Sequence, residues 1–165
     1  MSTRFLLRLT QLMAVLFFGL YVLIVAVGNL TDYNSNLIFV KGVLSMSTTF
    51  EGNSLMWRAI ESDLLHHLIY ILIITAEIII TILCMLGTYN MAKNLKGDNE
   101  LFHQSKKYGI IALLIGFSLW FFGFQIVAGE WFAMWQSDVF NALDSAFRIT
   151  SYIMGSLIIL FLKES

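Results

Sequence analysis

"LLHHLIYILIITAEIIITILCMLGTY", residues 64–89, is an apolar run that contains a single acidic side chain, Glu77. An α-helix rises about 1.5 Å per residue, so a run of this length can cross the roughly 30 Å hydrocarbon core of a bilayer. Residues 9–31 and 108–129 form two further apolar runs, and these contain no Asp, Glu, Lys or Arg. The sequence therefore predicts at least three transmembrane helices.

A fourth apolar stretch, residues 149–162, is too short to cross the bilayer unless its helix begins near Val139. That earlier start brings Asp144 and Arg148 into the helix. Composition agrees with a membrane protein, because 58% of the residues are hydrophobic and 13% are charged, against about half and about a quarter in soluble domains. We expect an all-α fold, a four-helix transmembrane bundle in one domain. The expected ranges are 1–165 for the domain and 7–30, 64–91, 107–129 and 139–162 for the helices.

The long first loop contains "NLIFVKGVLSM", residues 36–46, in which large apolar side chains surround a single lysine, Lys41. Such a segment is typical of a short amphipathic helix that lies at the membrane interface. We expect an interfacial helix here, and a short strand is the alternative.

The positions of Lys and Arg predict the orientation, because basic residues favour the cytoplasmic side of short loops. One side carries seven of the ten basic residues: Arg4, Arg8, Lys93, Lys96, Lys106, Lys107 and Lys163. The other side carries three: Lys41, Arg58 and Arg148. We therefore expect both termini in the cytoplasm. Trp57, Trp131 and Trp135 lie at the opposite edge, where aromatic rings favour the membrane interface.

Several segments distributed along the chain carry a family resemblance. They are "GNLTDYNSN" (28–36), "VLSMSTTF" (43–50), "MWRAI" (56–60), the adjacent His66 and His67, and "GFSLWFFGFQIVAGEWFAMWQSDVFNALDSAFR" (116–148). Together they resemble a bacterial family of predicted small integral membrane proteins that is described only as a domain of unknown function. The resemblance implies a multi-pass protein of the bacterial inner membrane with four spans. It implies no activity, because none is assigned to the family.

Polar residues form one stripe along the helix predicted for residues 64–91. At 100° per residue, five side chains point within about 40° of the direction of Glu77: His66, Tyr70, Thr81, Cys84 and Thr88. Two interpretations stay open. The stripe either hydrogen-bonds to neighbouring helices inside the bundle, or it forms a path for protons or a ligand, since ionisable groups within membranes often mark function.

Glu77 needs a partner, because a charge inside the membrane is costly unless it is paired or hydrated. Counted from the basic ends of their helices, Glu77 and Arg148 both lie roughly 23 Å along the helix axis. We expect an interhelical ion pair between them, with Asp144 and Gln125 as supporting or competing partners. The alternative is a Glu77 that hydrogen-bonds within its own stripe while Arg148 pairs only with Asp144.

Glycine recurs every seven residues in the third predicted helix, at Gly109, Gly116 and Gly123. Small residues on one face let another helix approach closely. We expect a helix-packing groove, and the alternative is a seat for a cofactor.

His66 and His67 lie near Glu61 and Asp63, which suggests a metal site at the outer end of the second helix. Adjacent helical residues point about 100° apart, however, so the two rings do not converge as an i, i+4 pair does. A further ligand such as Glu130 would have to complete the site. We expect no metal, and His66, His67 and Glu130 are only weak candidates.

We expect a non-enzymatic accessory or binding protein that associates with other membrane components through its glycine groove and its acidic, Trp-rich outer surface. The expected partners are membrane lipids, another membrane protein or a second copy of the chain. We expect no cofactor, no nucleic acid and no catalytic residues. The alternative function is a carrier or channel for protons, cations or a small lipid-soluble ligand, using the stripe around Glu77.

Overall fold

Four long helical stretches correspond to the four apolar runs in the computed structural model, which describes residues 2–163. In chain order the helices are α1 (Thr3–Thr31), α2 (Tyr33–Leu44), α3 (Asp63–Lys93), α4 (Asn99–Ser105), α5 (Lys107–Phe117) and α6 (Leu143–Phe161). A π-helix, Ser118–Trp131, continues α5, and 3-10 turns occupy Met56–Arg58 and Met134–Gln136. Residues 2–163 contain no strand. Met1, Glu164 and Ser165 of the predicted domain lie outside the described residues.

The stretches that are long and apolar enough to span a membrane are Thr3–Thr31, Asp63–Lys93, Asn99–Trp131 and Leu143–Phe161. Two of them begin at a serine, because Ser2 Oγ accepts a hydrogen bond from the Phe5 amide and Ser62 Oγ accepts one from Leu65. These caps give a partner to an amide that the first helical turn leaves free. The predicted all-α bundle with four spans is confirmed.

The antiparallel pair α1 and α3 forms the centre of the bundle. A Cβ atom on Gly19 of α1 would lie 2.5 Å from Cβ of Cys84 on α3, so only glycine permits this approach. On another face of α3, a Cβ atom on Gly87 would lie 2.6 Å from the backbone nitrogen of Gly109 on α5. The buried side chains between the helices include Val15, Phe18, Val22, Ile80, Leu113 and Ile153.

The first loop contains a helix, α2, which confirms the helical prediction for residues 36–46 and shows that the strand alternative is wrong. The chain turns at Asp32, between α1 and α2. Leu37 of α2 then packs with Tyr70 and Ile74 of α3 in a small buried cluster. This contact places α2 across the part of α3 that precedes Glu77.

The second half of the third span is a π-helix over residues 118–131, in which hydrogen bonds join residues five apart. The same spacing continues at its end, where the Phe132 amide donates to the Val127 carbonyl at 3.0 Å. A π-helix is wider than an α-helix, so side chains no longer repeat on one face every 3.6 residues. The seven-residue glycine pattern therefore cannot be extended to Gly123 by α-helical geometry.

The last span begins at Leu143, later than the predicted start at Val139. Ser137 Oγ accepts hydrogen bonds from the amides of Val139 and Phe140, at 3.2 and 2.7 Å, and Asn141 Oδ1 accepts one from Leu143 at 3.1 Å. Side-chain acceptors of this kind compete with the hydrogen bonds of a helix and delay its start. The 19 residues of α6 nevertheless extend about 28 Å, close to the hydrocarbon thickness.

The carbonyl end of α6 is held by side chains from other helices. Gln11 Nε2 on α1 donates to the carbonyls of Ile159 and Leu162 at 2.8 and 3.2 Å. The buried Lys106 Nζ donates to the Leu160 carbonyl at 3.2 Å. The last carbonyls of a helix lack the amide partners of its interior, so these side chains add donors there. The cation of Lys106 is also stabilised by the negative end of the helix dipole.

Candidate functional site

The polar stripe of α3 faces the interior of the bundle. Glu77 is 3% exposed, whereas its neighbours Ile78 and Ile79 are 40% and 43% exposed. The stripe residues are buried or half-buried: His66, Tyr70, Glu77, Thr81, Cys84 and Thr88. The α-helical wheel therefore places the polar side chains on the face that contacts other helices.

Asn29, near the end of α1, binds the carboxylate of Glu77. Its Nδ2 atom donates to Oε1 at 3.0 Å and to Oε2 at 2.8 Å. The Tyr70 hydroxyl donates to the backbone carbonyl of Asn29 at 3.0 Å. Asn29 thus contacts two residues of the stripe, and these bonds join the end of α1 to α3.

The structure shows no ion pair between Glu77 and Arg148. An Arg148 guanidinium nitrogen donates to Ser145 Oγ in its own helix at 3.0 Å, while Asp144 is exposed. Gln125 donates instead to Thr150 Oγ1 of α6 at 2.9 Å. Equal depth is insufficient for pairing, because Arg148 lies on an exposed face of α6 and Asn29 provides a neutral donor to Glu77.

Two hydroxyl groups of the stripe have no hydrogen-bond partner in the structure. They are Thr81 Oγ1 and Thr88 Oγ1, and both atoms are buried. They follow Glu77 along α3 toward its basic end at Lys93. The stripe therefore contains groups that can donate and accept further hydrogen bonds, with Cys84 between them.

The two adjacent histidines have separate partners. His66 Nε2 lies 2.7 Å from the Ile60 carbonyl, and His67 Nδ1 lies 2.8 Å from the Tyr33 hydroxyl. Within residues 2–163 no three His, Cys, Asp or Glu side chains are grouped so that they could hold a metal ion. His66, His67 and Glu130 are thus not brought together as a site, since the rings point apart and Glu130 is exposed.

Two of the three predicted groove glycines make close contacts inside the chain. A Cβ atom on Gly109 would lie 2.8 Å from Val15 Cγ2, and one on Gly116 would lie 2.5 Å from Phe18 Cζ. At Gly123 the nearest atom, the Ser118 carbonyl oxygen, would be 3.9 Å away. Gly123, which lies in the π-helix, therefore makes no close helix contact of the kind that Gly109 and Gly116 make.

Gly123 lines a cavity of about 370 Å³ between α2, α3 and the π-helix. The residues that line it are apolar or glycine except for Ser118: Phe39, Val40, Val43, Leu44, Ile69, Leu72, Ile73, Ala76, Ile115, Ser118, Leu119, Gly123, Phe124, Val127, Ala128 and Phe132. The Ser118 hydroxyl donates to the Leu114 carbonyl at 3.0 Å. Leu72 on the wall is 67% exposed, so the cavity reaches the lateral surface of the bundle. We call this space the apolar cavity.

Asn29 was not among the partners that the sequence predicted for Glu77. The sequence did contain an indication of this contact. Asn29 is a polar residue at the end of an apolar run, and in an antiparallel arrangement of α1 and α3 it can lie at the same depth as Glu77. Arg148 was predicted as the partner instead, because its charge is opposite to that of Glu77. The apolar cavity was also missed, since it depends on the π-helix and on the path of α2.

A family model described as predicted small integral membrane protein (DUF2165) matches residues 7–163. No curated protein and no solved structure matches the chain. The matched range includes three of the four spans completely and residues 7–31 of the first, together with the contact between Asn29 and Glu77 and the apolar cavity. The chain therefore belongs to the DUF2165 family of predicted small integral membrane proteins, a domain of unknown function.

Proposed function

We propose that this protein is a non-enzymatic lipid-binding protein of the bacterial inner membrane. Its ligand is one aliphatic chain of a membrane lipid, held in the apolar cavity. The observation that carries the proposal is a space of about 370 Å³ with apolar walls in a chain with four membrane spans. That volume falls in the range of roughly 300–1,000 Å³ that is usual for small-molecule sites.

The walls of the cavity favour a hydrocarbon over water. A water molecule needs two to four polar partners, and the hydroxyl of Ser118 is already donated to Leu114. If the cavity were empty, the side chains around it would lack the van der Waals contacts that a bound hydrocarbon chain provides. A lipid chain can enter from the side, past the exposed Leu72, because the cavity is bounded by two membrane spans.

Lipid is a better candidate partner for this chain than a protein bound through the glycine groove. Gly109 and Gly116 are in contact with Val15 and Phe18 of the same chain. The groove is therefore used to assemble the bundle. We propose binding without chemical conversion, because the cavity walls present apolar side chains to the ligand.

The test compares two glycine-to-leucine variants. Gly123→Leu places a side chain in the apolar cavity, whereas Gly155→Leu adds the same side chain where nothing lies within 4 Å of a Cβ atom. Lipids that remain with each purified protein are extracted and quantified by mass spectrometry. We expect Gly123→Leu to lose the retained lipid and Gly155→Leu to keep it.

Equal lipid content in both variants and the wild type would contradict the proposal. Mass spectrometry also distinguishes the fatty acyl chains of a phospholipid from an isoprenoid chain such as that of a quinone. Recovery of an isoprenoid alone would refute the acyl-chain ligand.

A second function, passage of protons along the stripe, is favoured by the buried hydroxyls of Thr81 and Thr88 that have no partner. With Glu77 they place exchangeable protons on one face of α3. The test is pH-dependent flux into liposomes, where Glu77→Gln should abolish flux. Thr75→Val is the control, because the Thr75 hydroxyl lies on an exposed face and donates to the Ile71 carbonyl. Equal flux in protein-free liposomes would refute this function.

We also propose that both termini lie in the cytoplasm. The seven-to-three distribution of basic residues in the sequence supports this orientation. At the opposite end, the Arg58 guanidinium lies 5.2 Å from the Trp57 ring centre and 4.6 Å from that of Trp131. Exposed tryptophans of this kind favour the interface.

A further inference from the structure

A second cavity, of about 330 Å³, lies between α1 and α6. Residues 17–21 of α1 and 145–152 of α6 contribute its walls, and Arg148 is the charged residue among them. Unlike the apolar cavity, this space combines aromatic rings with a guanidinium group. It lies on a different face of the bundle and has no wall residue in common with the apolar cavity.

Arg148 has unused hydrogen-bonding capacity at this cavity. A guanidinium group carries five N–H donors, and the hydrogen bond that Arg148 makes with a described residue goes to Ser145 Oγ at 3.0 Å. No carboxylate in residues 2–163 forms an ion pair with it. Arg148 is exposed, and a cation close to the membrane surface attracts the anionic headgroups of lipids, so the site favours an anionic ligand.

Arg148 lies near the end of the span at which α6 begins. It lies about 7 Å along the axis from the start of α6, a helix that is itself about as long as the hydrocarbon is thick. Arginine side chains near a span end extend toward the headgroups. The positive end of the α6 dipole is also at this end, which adds to the positive potential.

We infer that this cavity binds the phosphate group of an anionic membrane phospholipid through Arg148. The planar guanidinium matches a phosphate with two parallel hydrogen bonds. The Tyr21 hydroxyl, which hydrogen-bonds to none of the described residues, provides a second donor from α1. The hydroxyl of Tyr152 is already donated to the Ala14 carbonyl at 3.1 Å, so its ring serves as a wall for the lipid.

The test measures lipid binding to delipidated full-length protein by native mass spectrometry. The probes are phosphatidylglycerol, which is anionic, and phosphatidylcholine, which carries a compensating cation. We expect wild type to bind phosphatidylglycerol more tightly, and Arg148→Gln to weaken that binding about tenfold or more. Arg58→Gln is the control, because it removes the same charge from a residue that packs between Trp57 and Trp131.

Unchanged binding in Arg148→Gln, or an equal loss in Arg58→Gln, would overturn the inference. Inorganic phosphate should not displace the lipid, and displacement at equal concentrations would identify a site for a free anion instead. If Arg148→Gln does not fold, Tyr21→Phe removes one donor and should weaken phosphatidylglycerol binding about two- to tenfold. No change in Tyr21→Phe under those conditions would refute the site.

The two lipid proposals are distinguished by their variants. Gly123→Leu fills the apolar cavity and should leave the preference for phosphatidylglycerol unchanged. A loss of that preference in Gly123→Leu would show that the two cavities are one functional unit and would contradict a separate phosphate site.

Discussion

Asn29 on α1 donates its side-chain amide to both carboxylate oxygens of Glu77 on α3, at 3.0 and 2.8 Å. Tyr70, two turns earlier on α3, donates to the backbone carbonyl of the same asparagine. Interhelical hydrogen bonds in membranes contribute about 0.6 kcal/mol on average and up to about 1.7 kcal/mol. The buried acid is thus held by a neutral amide at the end of the neighbouring span.

Asn29→Ala should lower the free energy of unfolding by about 1–3 kcal/mol, because it leaves a buried carboxylate without its donor. Glu77→Gln should cost less, since the glutamine oxygen still accepts from Asn29. Unfolding in detergent measures both variants. Asn34→Ala is the control, because Asn34 is exposed on α2. Equal stability of Asn29→Ala and Asn34→Ala would disprove the contribution of the contact.

A double-mutant cycle between Glu77→Gln and Arg148→Gln should be additive. The two side chains have different partners, Asn29 and Ser145, and independent sites usually add within about 0.3–0.5 kcal/mol. The same unfolding measurement applies. A larger coupling energy would show that the acid and the arginine interact directly.

Gly116→Leu should destabilise the bundle by about 1–3 kcal/mol, because added atoms overfill a tight contact. The Cβ atom alone would lie 2.5 Å from Phe18 Cζ. Gly123→Leu should be better tolerated, since its Cβ atom meets nothing closer than 3.9 Å. Thermal unfolding measures the stability of both variants. An equal loss of stability would show that Gly123 lies in a tight helix contact, as Gly116 does.

Gln11→Leu should destabilise the protein by about 1 kcal/mol, because two carbonyls at the end of α6 lose a donor. Part of the loss is offset, since the buried Gln11 Oε1 has no partner and leucine removes it. Gln104→Leu on α4 is a matched control, because Gln104 is exposed. Unfolding in detergent compares the two variants. Equal stability of both variants would show that Gln11 does not hold α6.

Reporter fusions test the orientation. Reporters placed after Ser165 and within residues 94–104 should read cytoplasmic, and a tag near Asn53 should read external. The reason is the excess of Lys and Arg on one side of the membrane. An external signal from residues 94–104 would invert the proposed topology.

Much of the fold follows from the sequence, because long charge-poor runs have few alternatives to membrane helices. The stripe around Glu77 was also predictable, since α-helical periodicity holds through α3. The pairing of side chains between helices was not predictable from the sequence. The sequence predicted that Arg148 and Glu77 lie at similar depths along their helices. It could not predict how α6 is rotated about its own axis, and that rotation decides which of its residues can contact α3.

The π-helix marks the other limit of sequence reasoning. Nothing in the periodicity of residues 118–131 distinguishes hydrogen bonds between residues five apart from those between residues four apart. The position of Gly123 and the apolar cavity both depend on that difference. The predicted start of α6 was too early because of local hydrogen bonds. Ser137 and Asn141 accept from backbone amides that would otherwise belong to the first turn of a longer helix.

Cys84 is the single cysteine of the chain, and its side chain is fully buried where Gly19 of α1 passes α3. A thiol reagent can reach it only when α1 and α3 separate, so the rate of labelling reports how often that contact opens. The native protein thus contains its own probe of helix separation. A cysteine introduced at an exposed position would react first, which allows single-site spectroscopic labelling without removal of Cys84.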